Sequence, residues 1–292
     1  MYKKIKQRLV LTYLRQKFKL LEKVDIKSAA EELFKLLCTP YNSVRNYSLS
    51  PIFQKATPLT HIFEQVTTKG YYWKAENENT PKILICHGFD SASYKFERYI
   101  EPLMQLGFSV VAFDAPAHGL SAGTTLNVLQ YRNYILEVIE KFGPFDGIIA
   151  HSFGAIATAL AAEQLPADSI RRMVLVAPAT ETTRSIADFC RIIGISPMLQ
   201  NELESLITQT GGKPIRWYSA ARAIQSISIK TLWIHDKNDP ITPYEDMAYL
   251  ADLNLSHSSF HITDGLGHSP YSNADIAKLI VEYIGEMIGD KV

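Results

Sequence analysis

The sequence predicts an α/β fold in which a mostly parallel central sheet is covered by helices on both faces. Three observations carry this. From about residue 60 onward, short apolar runs alternate with amphipathic stretches of helical length, the order that builds parallel strands joined by crossover helices. Lys82-Ile83-Leu84-Ile85-Cys86 is almost continuously apolar, as a central strand buried on both faces must be. Gly147 to Ala150 is a second such run, and it passes through His151-Ser152-Phe153-Gly154 straight into the Ala-rich stretch Ala155 to Ala162. A strand there turns into a helix with almost no loop.

Composition narrows the class. The chain has 292 residues, 47% hydrophobic and 21% charged, ordinary globular material with ample core. A formal net charge of +0 gives no electrostatic case for a nucleic-acid partner. Cys38, Cys86 and Cys190 lie far apart with no C-x-x-C pair, so neither a disulfide framework nor a metal site is expected. No apolar run approaches a membrane span, and the N-terminus lacks the apolar region of a signal peptide. The expectation is a cytoplasmic protein without cofactors.

Residues 1–58 read as a basic helical extension. Met1 to Val24 carries Lys3, Lys4, Lys6, Arg8, Arg15, Lys17, Lys19 and Lys23 against one acid, Glu22, with apolar residues at helical spacing. Such a helix can lie on an anionic membrane. Docking of its apolar stripe on the globular part, with the lysines in water, is the favoured expectation. A second helix, Ser28 to Cys38, opens on the capping box Ser28-Ala29-Ala30-Glu31 and stops before Thr39-Pro40. Pro40, Pro51 and Pro58 then mark a surface connection.

Residues 59–292 form the main domain. His61 to Thr67 and Gly70 to Ala75 are expected to pair as a hairpin turning at Lys69-Gly70. Beyond the strand at 82–86 come a helix at Ser93 to Leu106, a strand at Ser109 to Phe113 and a helix at Leu126 to Phe142. The strand at 147–150 and the Ala-rich helix follow. Strands at Met173 to Ala177, Thr231 to His235 and Ser259 to Thr263 complete the sheet, with helices at Tyr244 to Leu253 and Ala274 to Ile288. About fifty residues separate the strands ending near Ala177 and starting near Thr231, where a crossover needs only a dozen or more. The excess, 181–227, is read as a small helical cap with helices at Arg184 to Ile193 and Pro197 to Thr208. Material inserted after a strand's carboxyl end sits where ligands bind.

The chemistry starts at Ser152. The pattern small-x-Ser-x-Gly on a strand-to-helix turn exposes the serine hydroxyl above the sheet. The helix N-terminus behind it places a positive dipole end where an oxyanion would form. The bland alternative is that Ser152 caps the helix. A serine nucleophile needs a base, and the base needs an acid to orient it. Gly265-Leu266-Gly267-His268 follows the final strand and supplies His268. His235-Asp236-Lys237-Asn238-Asp239-Pro240 follows the strand before it and supplies Asp239. Asp236 and Glu181 are the alternative acids, and His118 is the rival base. An oxyanion hole needs two backbone N–H groups. Phe153 gives one, and Phe89, in the turn His87-Gly88-Phe89-Asp90, gives the other. His87, Gly88 and His151 beside these donors are assigned to substrate binding. So are Phe189, Ile193 and Met198 of the cap, expected with Ile186 and Leu199 to form an apolar surface facing Ser152.

Four segments carry a resemblance: His87-Gly88, the loop Asp114-Ala115-Pro116-Ala117-His118-Gly119-Leu120-Ser121, Ala150-His151-Ser152-Phe153-Gly154, and Gly265-Leu266-Gly267-His268. Together they resemble the α/β-hydrolase superfamily from about Thr60 to the C-terminus. His235 to Pro243 is similar to the superfamily's acid turn H-G-x-x-D-x-x-x-P, with Asp236 where glycine is usual, and Ala117 replaces the glycine of P-G-H-G. The resemblance implies the α/β-hydrolase fold and a triad of Ser152, Asp239 and His268. It implies a serine hydrolase that cleaves a carboxylic ester or thioester through an acyl-enzyme, and the apolar cap residues lead to the expectation of a small, apolar substrate. Serine in place of aspartate as nucleophile argues against dehalogenase or epoxide-hydrolase chemistry. A peptidase or C–C hydrolase with the same triad stays open, as does a non-catalytic binding protein on the same fold.

Overall fold

The computed structural model describes residues 2–41, 49–77, 80–166 and 168–289, with side chains from residue 8 onward in the first stretch. Met1 and the middle of the surface connection between Pro40 and Pro58 lie outside the described residues. In chain order the elements are α1 (Tyr2–Val24), α2 (Ile26–Leu37), α3 (Pro51–Gln54), β1 (Thr57–Phe63), β2 (Val66–Trp73), β3 (Lys82–Cys86), α4 (Glu97–Gln105), β4 (Ser109–Asp114), α5 (Val128–Phe142), β5 (Gly147–His151) and α6 (Phe153–Ala162). Next come β6 (Arg172–Val176), α7 (Thr182–Ile193), α8 (Pro197–Gly211), α9 (Ala220–Ile224), β7 (Lys230–Asp236), α10 (Glu245–Asp252), β8 (Ser258–Thr263) and α11 (Ala274–Gly289).

The chain divides into two compact units. One combines Met1–Thr39 with Glu181–Tyr218, and the other combines Pro40–Thr180 with Ser219–Val292. The helices expected in two separate pieces, 1–58 and 181–227, thus fall within one helical unit.

The second unit is built on an eight-stranded sheet of order β1-β2-β4-β3-β5-β6-β7-β8. β1, β2 and β4 pair antiparallel, and every pair from β4 through β8 is parallel. β4 lies on one side of β3 and β5 on the other. The carboxyl ends of β3 and β5 therefore flank the point where the winding reverses, which is where such sheets bind ligands. Ile83, Ile85, Val110, Ile149 and Val174 fill one face of the sheet against Tyr99, Leu103, Ile280 and Ile284 of α4 and α11. The sheet is thus a rigid, water-free platform for the loops at its carboxyl edge.

Two local expectations are corrected. The β1–β2 hairpin turns at Glu64-Gln65, both with positive φ (45° and 67°), and Phe63 pairs with Val66. Two left-handed residues make the turn that matches strand twist. Gly70 lies inside β2 instead, opposite Phe113, because a side chain there would collide with the Phe113 ring. At α2 the N-cap is Asp25, which accepts from Lys27 N–H at 3.0 Å and Ser28 Oγ–H at 2.6 Å. Ser28 supports that cap from within the helix.

The helical unit has its own core. Phe18, Ala29, Ala30 and Leu33 of α1 and α2 are buried against Ile186, Cys190, Leu199 and Leu203 of α7 and α8. Polar ties fix the same packing. Arg15 donates from Nε to Ile193 C=O and from Nη2 to Ile192 C=O, both at 3.1 Å, placing a cation on the negative end of α7. Ser196, the N-cap of α8, donates to Glu22 at 2.6 Å. The N-terminal helix therefore docks, as favoured, and its partner is the pair of cap helices.

That packing corrects the reading of the cap residues. Ile193 is 3% exposed within this core, and Phe189 packs against it. Ile186 and Leu199 are buried there too, while Met198 is 60% exposed. The stripe taken for a substrate surface is consumed by α1 and α2, whose apolar faces needed a partner. Replacing Phe18 by alanine should destabilise this unit by about 3–5 kcal/mol, the usual cost of emptying a buried phenylalanine site. Urea unfolding of wild type and Phe18→Ala measures it; a loss under about 1 kcal/mol would show that α1 is not part of the unit's core.

Candidate active site

The strand β5 enters a sharp turn at Ser152, whose φ and ψ are 52° and −116°. A non-glycine residue adopts such a conformation only where the surroundings enforce it. Here they do. Ser152 N–H donates to Val176 C=O at 2.9 Å, and Ser152 C=O accepts from Ala155, Ile156 and Ala179. The backbone crowding is severe: a side chain on Gly154 would fall on His87 C=O, and one on Gly88 would lie 2.8 Å from His151 Nδ1 and 3.1 Å from Ser152 Cβ. Ser152 makes no side-chain capping bond to α6. Its hydroxyl, at the end of a residue 8% exposed, meets His268 Nε2 at 2.9 Å.

His268 reaches back from the loop after β8. Its Nδ1–H donates to Asp239, at 2.8 Å to Oδ2 and 3.1 Å to Oδ1. This fixes the tautomer, leaving Nε2 to accept from the serine hydroxyl. Asp239 is held in turn by Ile241 N–H at 2.8 Å, Thr242 N–H at 3.0 Å and Thr242 Oγ1–H at 2.8 Å. Burial alone would raise the Asp239 carboxyl, but the bond and charge of His268 and these N–H donors outweigh it and hold it down at about 2. Ser152, His268 and Asp239, the three residues singled out from the sequence, form one continuous hydrogen-bonded chain.

Asp236, the alternative acid, does different work. It accepts from Thr263 Oγ1–H at 2.7 Å, Leu266 N–H at 2.8 Å, Asn238 N–H at 2.9 Å and Gly265 N–H at 3.3 Å. It thereby stitches the acid loop to the loop that carries His268. The rival base His118 is committed elsewhere, its Nδ1–H donating to Pro116 C=O at 2.9 Å.

Phe89 and Phe153 are neighbours, their rings in edge contact at 5.3 Å. The first donors bonded within α6 are Ala155 and Ile156, so Phe153 N–H has no partner inside the helix. His87, Gly88 and His151, assigned to substrate binding from the sequence, are buried beside Ser152. His87 Nε2 accepts from Ala115 N–H at 2.9 Å, so its Nδ1 carries the proton and donates to Gly88 C=O at 2.7 Å. Tyr131 donates to His87 C=O at 2.8 Å. His151 donates from Nε2 to His268 C=O at 2.8 Å and packs on the Tyr271 ring at 4.5 Å. Both histidines act on the loops.

Sequence reading missed Thr242 and Asp114. Thr242 also lies 3.2 Å from His268 Nδ1. Its signal was the three-residue spacing from Asp239, that of an Asx-type turn. Asp114, at the end of β4, accepts from Ser93 N–H and Oγ–H and from Leu120 N–H at 2.7–2.8 Å, tying the loop after β3 to the loop after β4. Ala117, where the superfamily has glycine, keeps a left-handed φ of 66°.

With the sheet order, the elbow and the loop arrangement, the chain has the α/β-hydrolase fold. The profile of the family described as serine aminopeptidase, S33, matches residues 77–218, just under half of the chain. A Mycoplasma pneumoniae protein provisionally named esterase/lipase 2 is 26% identical over 244 residues, covering 70% of this chain and 88% of that one. A Bacillus subtilis protein without an assigned activity, YqkD, is 23% identical and covers 69% and 68%. Among solved structures, an esterase of Pyrococcus furiosus aligns with a TM-score of 0.63 at 17% identity, over 87% of this chain and 97% of that one. Mouse α/β hydrolase domain-containing protein 10 aligns at 0.60 and 18%, over 81% and 99%. These two likenesses are likenesses of fold.

The buried histidines set an acid limit on stability. Burial pushes His87 and His151 down to about 3 from 6.5. Both stay neutral when folded yet would charge in the unfolded chain, so stability must fall as pH drops from 6.5 toward 3. Asp239 adds a loss of the same sign below 3.8, its unfolded value. Urea midpoints across this range should decline steadily. His151→Gln, which keeps a donor for His268 C=O, should decline less steeply; an identical slope would exclude His151 as a contributor.

Proposed function

We propose that the protein is a serine hydrolase that cleaves a carboxylic ester or thioester through an acyl-enzyme on Ser152. The observation that carries this is the chain from Ser152 Oγ to His268 to Asp239, set on a strained turn at the topological switch point of the sheet. Ser152 Oγ attacks the carbonyl carbon while its proton passes to His268 Nε2. Asp239 stabilises the imidazolium through Nδ1–H. The oxyanion takes hydrogen bonds from Phe89 and Phe153 N–H. As the intermediate collapses, His268 gives its proton to the departing alkoxide or thiolate. Water, deprotonated by His268, then attacks the acyl-enzyme and releases the acid.

An apolar substrate is favoured by the loops around the serine. Leu120, Ile241 and Leu266 are all exposed, and they lie in the loops after β4, β7 and β8, at the same sheet edge as Ser152. The name of the Mycoplasma relative points to an ester in the same way. The S33 profile favours a second reading, release of an N-terminal amino acid from a peptide. Aminoacyl anilides assayed beside aryl esters separate the two.

A fluorophosphonate should label wild type at Ser152 and leave Ser152→Ala unlabelled, with turnover of aryl esters reduced up to about 10⁶-fold. Esterase activity of Ser152→Ala above about a hundredth of wild type would remove Ser152 as nucleophile. Asp239→Asn should lower kcat by about 10⁴ through the wrong histidine tautomer. Asp236→Asn, which loosens only the loop, should cost far less; the reverse order of severity would transfer the acid's role to Asp236. Across acyl esters, kcat/KM should rise up to about fourfold per methylene until the apolar rim is covered. A flat profile would point to a polar ester.

A further inference from the structure

We infer that α1 is a membrane-docking helix, which holds the protein on an anionic lipid surface through a second apolar face. The face toward the cap helices is occupied by Phe18, with Leu14 and Leu21 packed beside it. The opposite face is not. Leu9, Tyr13 and Leu20 are 66%, 65% and 64% exposed, and Val24 more so. Spacings of four, seven and four residues bring these side chains onto one side of the helix, away from Phe18. A helix that only docked on the protein would carry polar residues there.

Charge says what covers this stripe. The first 24 residues carry eight cations and one acid, whereas the whole chain is formally neutral. The positive excess on α1 is therefore balanced by a negative excess over the rest of the chain. Its one acid, Glu22, accepts from Ser196 on the protein side. Lys19 and Lys23, beside the stripe, and Arg8 point to solvent. An apolar face that includes the amphipathic Tyr13 and is flanked by lysines matches the interface of an anionic bilayer, where each cation near the surface adds attraction. Among the described residues no helix is long and apolar enough to cross a membrane, so the helix would lie in the interface plane. A second copy of the chain fits the stripe less well, because pairing two such helices would bring like charge together. Because α1 is fixed to α7 and α8 by Arg15, Phe18 and Glu22, the face needs no folding step on binding. The sequence alternatives of docking and membrane binding are thus served by opposite faces of one helix.

The test is co-sedimentation of the full-length protein with phosphatidylcholine vesicles, with and without phosphatidylglycerol. The protein should bind the anionic vesicles at least about tenfold more tightly than the neutral ones, and added salt should remove the preference. Leu9→Glu with Leu20→Glu should weaken binding at least about tenfold, since both side chains would leave the apolar layer. Lys19→Glu with Lys23→Glu, which keeps the stripe, should abolish the anionic preference. Unchanged urea midpoints check that each variant is folded. Equal affinity for the two vesicles, no binding to either, or a lipid-free dimer dissolved by Leu9→Glu with Leu20→Glu would each overturn the inference. Binding is read without turnover, so it stands or falls separately from the role of Ser152.

Discussion

The backbone of residues 86–88 lies directly against that of residues 151–154, and the rest of the site depends on this contact. There is no space for a side chain at Gly88 or Gly154, so the turn after β3 and the turn after β5 pack with bare backbone between them. Close approach of this kind is what the proposed oxyanion hole requires if two amides from different loops are to aim at one point. It also holds Ser152 in a left-handed conformation that the residue would not choose alone. The buried His87, bonded to Gly88, Ala115 and Tyr131, keeps the first turn from relaxing away from the second.

Around that contact, the loops that bring His268 and Asp239 to Ser152 are braced by polar groups with no reactive part. Asp236 and His151 hold the chain on either side of His268. Thr242 holds the Asp239 carboxylate. Asp114 ties the loop after β3 to its neighbour. Each is buried or part-buried and hydrogen-bonded, as the proposed site requires, because a loosely held base would lose both its tautomer and its aim. The cost is acid sensitivity: several histidines must stay neutral in places water cannot reach.

The fold class was legible in the sequence because parallel strands buried on both faces leave an unmistakable apolar signature at β3 and β5. Ser152, Asp239 and His268 were legible as a set because each follows a strand in a short motif. What the sequence hid depends on partners distant in the chain. Ile193 and Phe189 read as a free apolar surface because nothing local shows that α1 and α2 will cover them. Gly70 read as a turn because its reason, the Phe113 ring, lies across the sheet. The bonds of His87 to Ala115 and of His151 to His268 were hidden in the same way, because the partners lie far along the chain. Even Asp236, an apparent departure from the superfamily pattern, only makes sense once the loop it anchors is in view.

The most direct measurement is a structure of the protein with an alkyl boronic acid, which stands in for the tetrahedral intermediate. The account predicts a covalent bond from Ser152 Oγ to boron and one boronate oxygen within about 3.1 Å of both Phe89 and Phe153 N–H, as an oxyanion hole requires. The second oxygen should face His268 Nε2. A boronate bound without a bond to Ser152, or one whose oxygens miss either amide, would contradict it.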